Sequence, residues 1–539
     1  MSIRFGVSAI LAVVLSPCAA QTVEPDPADI IAALIDRHLA ADWQARGVKP
    51  AAPADDAEFL RRVYLDLVGR APKVSETRSF LDDPNPAKRA SLVDKLLTLP
   101  SHANHFASVT RNAWMPQTAT NPQLAGFGFQ FESWLRIRYR ENTPADVVAQ
   151  KVLGVPLQFA VVGNNQQFAQ PLGNDPDGFG LAAFYQANES RPENVGAAVS
   201  RVFLGVKLEC AQCHDHPFAP YTRGQFWEFA AFFADLSRLP NTRPSDTSTK
   251  GPQADKNRLT IPNTDKMVVA KFFDGTDPVW SDARTPRQEL AGWLTRRENP
   301  YFAKNQVNRL WAHFFGVGIV DPVDEPGDNN PPSHPGLLDD LGAVFAANKF
   351  DNRLLIRAIT RTQAYQLTSK LTHPTQADPK RFARMNLKGL TPAQLFDSLV
   401  VATGYREQSS RRGVQFAQFP QLGNPRSQFL NRFASTEKTT ETNTTILQAL
   451  MLMNGDFINT QTGFDRSEVL GAVVDVPGWD TRQRIEALFL TAFARHPTAE
   501  EAERFASYVD RGGAIGDKNK ALGDIFWVLL NSPEFLFNH

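Results

Sequence analysis

The residues with the clearest chemical potential lie in one run, Cys210-Ala211-Gln212-Cys213-His214-Asp215-His216-Pro217-Phe218. Only three cysteines occur in 539 residues; two of them stand here, three apart, with a histidine directly after the second. C-x-x-C-H is the attachment pattern for c-type haem. Two thiols one helical turn apart can each add across a vinyl group of one porphyrin, and the next imidazole can reach the iron. On this reading Cys210 and Cys213 bind the haem and His214 is its axial ligand. Three other readings use the same atoms. One is a Cys210–Cys213 disulfide, formed in an oxidising compartment. The second is a site for zinc or another divalent metal, built from Cys210, Cys213 and either His214 or His216. The third is a tight turn with no cofactor. On a continuing helix His216 would point roughly 200° away from His214. The two rings therefore cannot share one iron, and His216 is a candidate for a separate metal or for a hydrogen bond within the site.

Neighbouring residues extend this picture. Asp215 can orient an imidazole as an outer acceptor, and Arg201, Lys207 and Arg223 could pair with haem propionates. For a sixth iron ligand the candidates are His102, His105, Met115, His313 and His334, and the sequence does not choose among them. A strong second ligand favours electron transfer, whereas an open position favours small-molecule binding or catalysis. Asp321, Asp324, Glu325 and Asp328 precede His334 and read as a solvated loop or as carboxylates for a divalent cation. No Gly-rich nucleotide loop follows a strand, and there is no Gly-x-Ser-x-Gly elbow.

The rest of the chain must export and position this run. Arg4, an apolar stretch over residues 7–15 and Cys18-Ala19-Ala20 before Gln21 read as a signal peptide, residues 1–20. The apolar stretch is too short for a permanent span. Lipid attachment at Cys18 is poorly served by Pro17. A periplasmic or secreted mature protein is the expectation, in keeping with haem attachment outside the bacterial cytoplasm. No later stretch is long and apolar enough to cross a membrane. With 57 basic and 57 acidic residues, nothing draws the chain to nucleic acid or an anionic membrane. An exported redox protein is the partner the haem reading implies.

Apolar periodicity predicts helices over residues 29–38, 59–68, 88–99 and 130–140, and one starting at Thr143-Pro144. Residues 154–188 loosen into Gly, Asn, Gln and Pro and read as a long loop. A helix then leads from Pro192 into the cysteines, and Phe226, Trp227, Phe229, Phe232 and Phe233 form an aromatic helix that serves as core and could also wall a haem pocket. Residues 237–284 are polar, with short strands expected at 259–261 and 267–273, and read as an interdomain segment. Further helices are predicted at 287–296, 305–315, 336–348, 353–364, 392–402, 444–453, 480–493, 499–509 and 521–530. The expected fold is mainly α: two helical domains, 29–236 and 285–535, with long irregular loops and a few short strands.

The motifs carry a resemblance. Phe59-Leu60-Arg61-Arg62-Val63-Tyr64-Leu65-Asp66-Leu67, Phe203-Leu204-Gly205-Val206 and the His-Asp-His-Pro-Phe after the cysteines resemble the planctomycete cytochrome-c-like domain DUF1549, or PSCyt2. Residues 308–316 (Asn-Arg-Leu-Trp-Ala-His-Phe-Phe-Gly), Gly318-Ile319-Val320, Pro331-Pro332-Ser333-His334-Pro335 and Gln448-Ala449-Leu450 to Asn454-Gly455 resemble its usual partner domain, DUF1553, or PSD1. The resemblance covers nearly all of the chain from Phe59 onward and implies a cytochrome-like first half; the family's activity is largely unassigned. Longer relatives add an N-terminal cytochrome-like module and lectin-like or immunoglobulin-like insertions, for which this chain has no room. Against a redox role stands a non-redox exported scaffold or binding protein whose Cys/His cluster is a metal site or structural disulfide, and polymer hydrolysis is a third reading that rests on those lectin-like relatives alone. Relatives also tend to carry a cysteine-bearing segment before Gln-Ala-Leu, and residues 434–440 contain no cysteine. A second thiol site is therefore not expected.

Overall fold

The computed structural model describes residues 25–162, 166–173, 175–215, 221–237, 256–327, 329–406, 425–433, 462–463 and 466–539. The expected signal peptide, the helix at 444–453, His216 and Asp328 lie outside these residues.

The chain is mainly α-helical, as its periodicity predicts. Helix α1 (Pro27–Arg46) is capped by the Asp26 carboxylate and closed by a left-handed Gly47. Helix α2 (Asp56–Val68) begins at Asp55, whose side chain accepts from the Glu58 amide, and ends at left-handed Gly69. Every residue of α2 from Glu58 to Val68 is buried, charged ones included, so neighbours enclose this helix on all sides. Helices α3 (Val74–Leu81), α4 (Lys88–Thr98), α5 (Pro100–Trp114), α6 (Gln117–Thr120), α7 (Ala125–Arg140) and α8 (Ala145–Gly154) follow.

Residues 154–188 are more ordered than their composition implies. An antiparallel pair, β1 (Leu157–Val162) and β2 (Gln166–Pro171), leads into helix α9 (Gly178–Ala187). Two glycines disguise α9, since glycine weakens a helix by about 1 kcal/mol. Tertiary packing reverses that preference: a Cβ at Gly180 would stand 2.4 Å from the Trp134 Cβ of α7, so only glycine lets these helices approach so closely.

Helix α10 (Pro192–Val199) runs into a π-helical turn, Ser200–Leu204, that stops at left-handed Gly205. A 3-10 turn, Glu209–Gln212, carries the first cysteine, and α11 (Arg223–Ala230) follows. Strands β3 (Arg258–Thr260) and β4 (Met267–Val269) pair as a hairpin close to the expected places. Beyond them come α12 (Pro286–Leu294), α13 (Phe302–Phe315), α14 (Pro335–Ala347), α15 (Asn352–Arg361) and α16 (Gln363–Gln366). Strand β5 (Lys388–Gly389), helices α17 (Pro392–Thr403) and α18 (Pro425–Phe433), and helices Glu468–Asp475, Thr481–Phe493, Ala499–Asp510, Lys518–Leu530 and Pro533–Leu536 complete the chain with β6 (Phe537–Asn538). The last strand pairs back onto β5.

Among the described residues, one hydrophobic cluster runs from Ala28 to Met385 and takes in Ala494. A second lies between Leu395 and Leu536. Segment 237–284 contributes Ile261, Val268, Ala270 and Phe272 to the first cluster, so part of it is core. No described helix is long and apolar enough to cross a membrane.

Candidate functional site

The Cys-x-x-Cys-His run is an exposed turn pinned from below. Ala211 is fully buried, while Cys210, Cys213, His214 and Asp215 are exposed. Both thiols are free. The anchor is the Gln212 carbonyl, which accepts from the Trp227 indole N–H at 3.1 Å and from the Arg223 guanidinium at 3.3 Å. Both donors sit on α11, which a capping box holds: Thr222 Oγ1 accepts the Gln225 amide, and Gln225 Oε1 accepts the Thr222 amide. Arg223 also donates to the Pro262 carbonyl of the β3–β4 hairpin at 2.8 Å.

His214 Nδ1 lies 2.7 Å from the Asp215 carbonyl oxygen. A carbonyl only accepts, so Nδ1 carries the proton and Nε2 keeps its lone pair in the neutral ring. Asp215 thus orients the imidazole, but through its backbone. Its carboxylate accepts the Arg223 amide at 2.7 Å instead.

This donor set suits a covalent haem: two uncommitted thiols three residues apart, and an imidazole whose Nε2 is left to bind iron. The aromatic segment is core, as its pattern predicts. Phe226, Trp227, Phe229 and Phe232 are buried in the core, where Phe232 stacks on Phe272 at 5.3 Å and Phe272 on Trp293 at 5.0 Å. Trp227 supports the turn through its indole N–H, and the rings pack on one another. The three flanking cations are engaged too. Arg201 donates to the Ala113 and Trp114 carbonyls, Lys207 pairs with Glu325, and Arg223 is placed as above. Among the described residues no group of three or more His, Cys, Asp or Glu side chains could hold a metal ion.

Three of the five sixth-ligand candidates gather around one phenylalanine. His102, His105 and His313 surround Phe106. His102 Nδ1 donates to the Leu67 carbonyl at 2.9 Å, and His313 Nε2 to the Asp66 carbonyl at 2.9 Å. Burial pushes His102 down to about 4 and holds His105 well below 6.5. His313 is lowered too, again chiefly by burial. Met115 is fully buried, and His334 is buried with its Nε2 3.5 Å from Asp42. Two acids of the loop after α13 are paired with cations: Asp324 bonds Arg309 and Glu325 bonds Lys207. Among the described residues the loop forms no metal-binding group with His334.

A second constellation escapes sequence reading altogether. The Asp66 carboxylate, at the end of α2, accepts from Tyr365 (2.9 Å), Lys388 (2.5 Å) and Asn538 (2.7 Å). The Lys388 ammonium spends its other two protons on the His313 and Phe314 carbonyls. Beside it Arg62 bonds Glu58 and the Tyr365 carbonyl, and Arg61 bonds the Ala492 and Phe535 carbonyls. The three side chains that meet at Asp66 lie 299 to 472 positions away, and no local pattern marks such a pairing.

Helix α13 also carries a stripe that the spacing alone could have revealed. Asn305, Arg309 and His313 recur every fourth residue, on one helix face. All three donate to backbone carbonyls of the first half: Asn305 to Val202 (2.7 Å), Arg309 to Arg201 (2.7 Å) and His313 to Asp66. Asn308, off this face, holds both the carbonyl and the amide of Val320.

No curated protein and no solved structure matches the chain. Two family models do. Residues 34–238 match PSCyt2, a protein of unknown function (DUF1549), and residues 286–509 match PSD1, a protein of unknown function (DUF1553). The exposed turn falls within the first match and the donor stripe of α13 within the second. The chain therefore carries a PSCyt2-like stretch followed by a PSD1-like stretch along its length.

Proposed function

We propose that this is an exported c-type haem protein with a redox role, electron transfer or a haem-dependent oxidoreductase step. Cys210 and Cys213 would hold the haem and His214 would be the axial ligand. The observation that carries the reading is the state of the turn: two free, exposed thiols and a His214 Nε2 whose lone pair is uncommitted among the described residues. When bound, the haem would supply one-electron chemistry at its iron. The chain's own part is to present the thiols, to fix the imidazole tautomer through the Asp215 carbonyl, and to hold the turn through Trp227 and Arg223. Because the thiols and the imidazole are exposed, a partner protein can reach whatever they hold, and this favours electron transfer with an exported redox partner. The same proposal divides the chain into a site-bearing part, 29–236, and a helical part, 285–535, joined by 237–284.

The test is a pyridine haemochrome spectrum on protein exported from a host with c-type haem maturation, beside Cys210→Ala/Cys213→Ala. The expected result is a c-type spectrum that survives acid-acetone extraction and disappears in the double variant. A colourless wild-type protein from that host overturns the redox reading. Zinc found in such a protein would move the site, with His216, to the metal reading.

A further inference from the structure

We infer that the PSD1 part positions the Cys-x-x-Cys-His turn through Asn305 and Arg309 of α13 together with Asp324. This deepens the haem proposal and rests on it for the identity of the bound group. The argument begins with the end of α10. A helix leaves its last carbonyls without intrahelical donors. Here the π-helical turn Ser200–Leu204 settles one of them itself, since the Val206 amide returns to the Ser200 carbonyl at 3.2 Å. The next two carbonyls are supplied from α13: Arg201 O by the Arg309 guanidinium and Val202 O by the Asn305 amide, both at 2.7 Å.

Residues 205–208 then have no regular structure, and contacts with the second half fix their path. Gly205, at φ +71°, lies so close to Asn305 that a Cβ would come within 2.6 Å of its Oδ1. The Lys207 amide donates to the Asp324 carbonyl at 2.9 Å, and its ammonium reaches Glu325 at 3.2 Å. The Asp324 carboxylate in turn holds the Arg309 guanidinium. One residue further, the Leu208 carbonyl accepts the Ala211 amide at 2.8 Å and starts the 3-10 turn that presents Cys210. Arg201, gripped at its backbone by Arg309, extends its own side chain to within 3.7 Å of Glu209, the residue before Cys210. The direction in which the cysteines emerge is therefore set by side chains about a hundred positions later in the sequence. Asn305, Arg309 and Asp324 are positioning residues, because none of them belongs to the Cys-x-x-Cys-His run.

The test uses the full haem-free chain and reads the geometry of the two thiols directly. In a glutathione buffer, Cys210 and Cys213 give up two protons and two electrons to glutathione disulfide, forming one S–S bond and releasing two glutathione thiols. The equilibrium constant reports how well the turn brings the sulfurs together. Asn305→Ala removes the donor to Val202. Asp324→Asn is isosteric, sits on a partly exposed loop and keeps the carbonyl that Lys207 needs, so it remains informative should the buried Asn305 variant fail to fold. A shift of about threefold or more in that constant, in variants that keep the wild-type circular dichroism, is the expected result for a geometric change of this kind. An unchanged constant in folded Asp324→Asn overturns the inference. Where haem is attached, the midpoint potential of Asp324→Asn should also move, and an unmoved potential counts against positioning. A wild-type chain that never takes haem would remove the proposed function, and the thiol equilibrium would still decide the positioning role.

Discussion

Two regions of the molecule gather chemically versatile side chains, and they treat them in opposite ways. Around the end of α2, Asp66, Lys388, Tyr365, Asn538 and His313 are joined to one another or to backbone, and the Asp66 carboxylate accepts from three side chains. At the Cys-x-x-Cys-His turn the backbone is what is held, while two thiols and an imidazole nitrogen face solvent uncommitted. The difference teaches that richness in ligating residues does not make a site. A buried network with its lone pairs already donated to stabilises the fold, and reactivity requires access and a free electron pair.

The sharpest way to break this contrast is Asp66→Ala. It leaves the Lys388 ammonium buried without its counter-ion, and loss of one partner of such a pair costs about 3–5 kcal/mol. Urea denaturation should register that loss. Asp66→Leu/Lys388→Met should recover part of it, since the orphaned charge, more than the loss of the pair, carries the cost. A double variant no more stable than Asp66→Ala would contradict this account.

Acid should act on the same region next. His102 is pushed down to about 4 by burial, against about 6.5 when unfolded, so below pH 6.5 the unfolded chain binds the extra proton. The stability that His102 lends is complete above pH 6.5 and drains away as pH falls toward 4, by about 3 kcal/mol at 1.36 kcal/mol per pH unit. His105, His313 and His539 are lowered as well and work in the same direction. Urea midpoints measured from pH 7 to pH 4 should fall steadily, and a flat profile would refute the buried-neutral assignment.

Smaller effects belong to the turn. Thr222→Ala removes the cap of α11, at a cost of about 1 kcal/mol. Amide exchange should rise first in α11, whose Trp227 and Arg223 hold Gln212. Smallest of all, Cys210→Ala/Cys213→Ala should leave the unfolding free energy within about 0.5 kcal/mol of wild type, because both side chains are exposed and unpaired. A large loss in that variant would make the cysteines structural and erase the contrast between the two regions.

Helices with a clean apolar stripe and a cap were legible in the sequence. Thr391-Pro392 opens α17 with a capping box, and Gly69 ends α2 in the left-handed conformation that it marks. Where local preference and packing disagreed, the pattern failed. The glycines of α9 read as loop until Trp134 gives Gly180 a packing reason. Segment 237–284 reads as polar spacer, yet Phe272 is stacked inside the core.

By itself, the sequence determined the Cys-x-x-Cys-His run, the mainly helical build and the two family resemblances, because these depend on residue type at short spacing. Only the tertiary structure decided which histidines are spent inside the fold, that Asp215 acts through its backbone, and that α13 supplies the carbonyls before the cysteines. Those outcomes depend on groups from separate parts of the chain meeting in space, and at Asp215 on which donor takes the carbonyl and which the carboxylate. Local spacing carries no record of either.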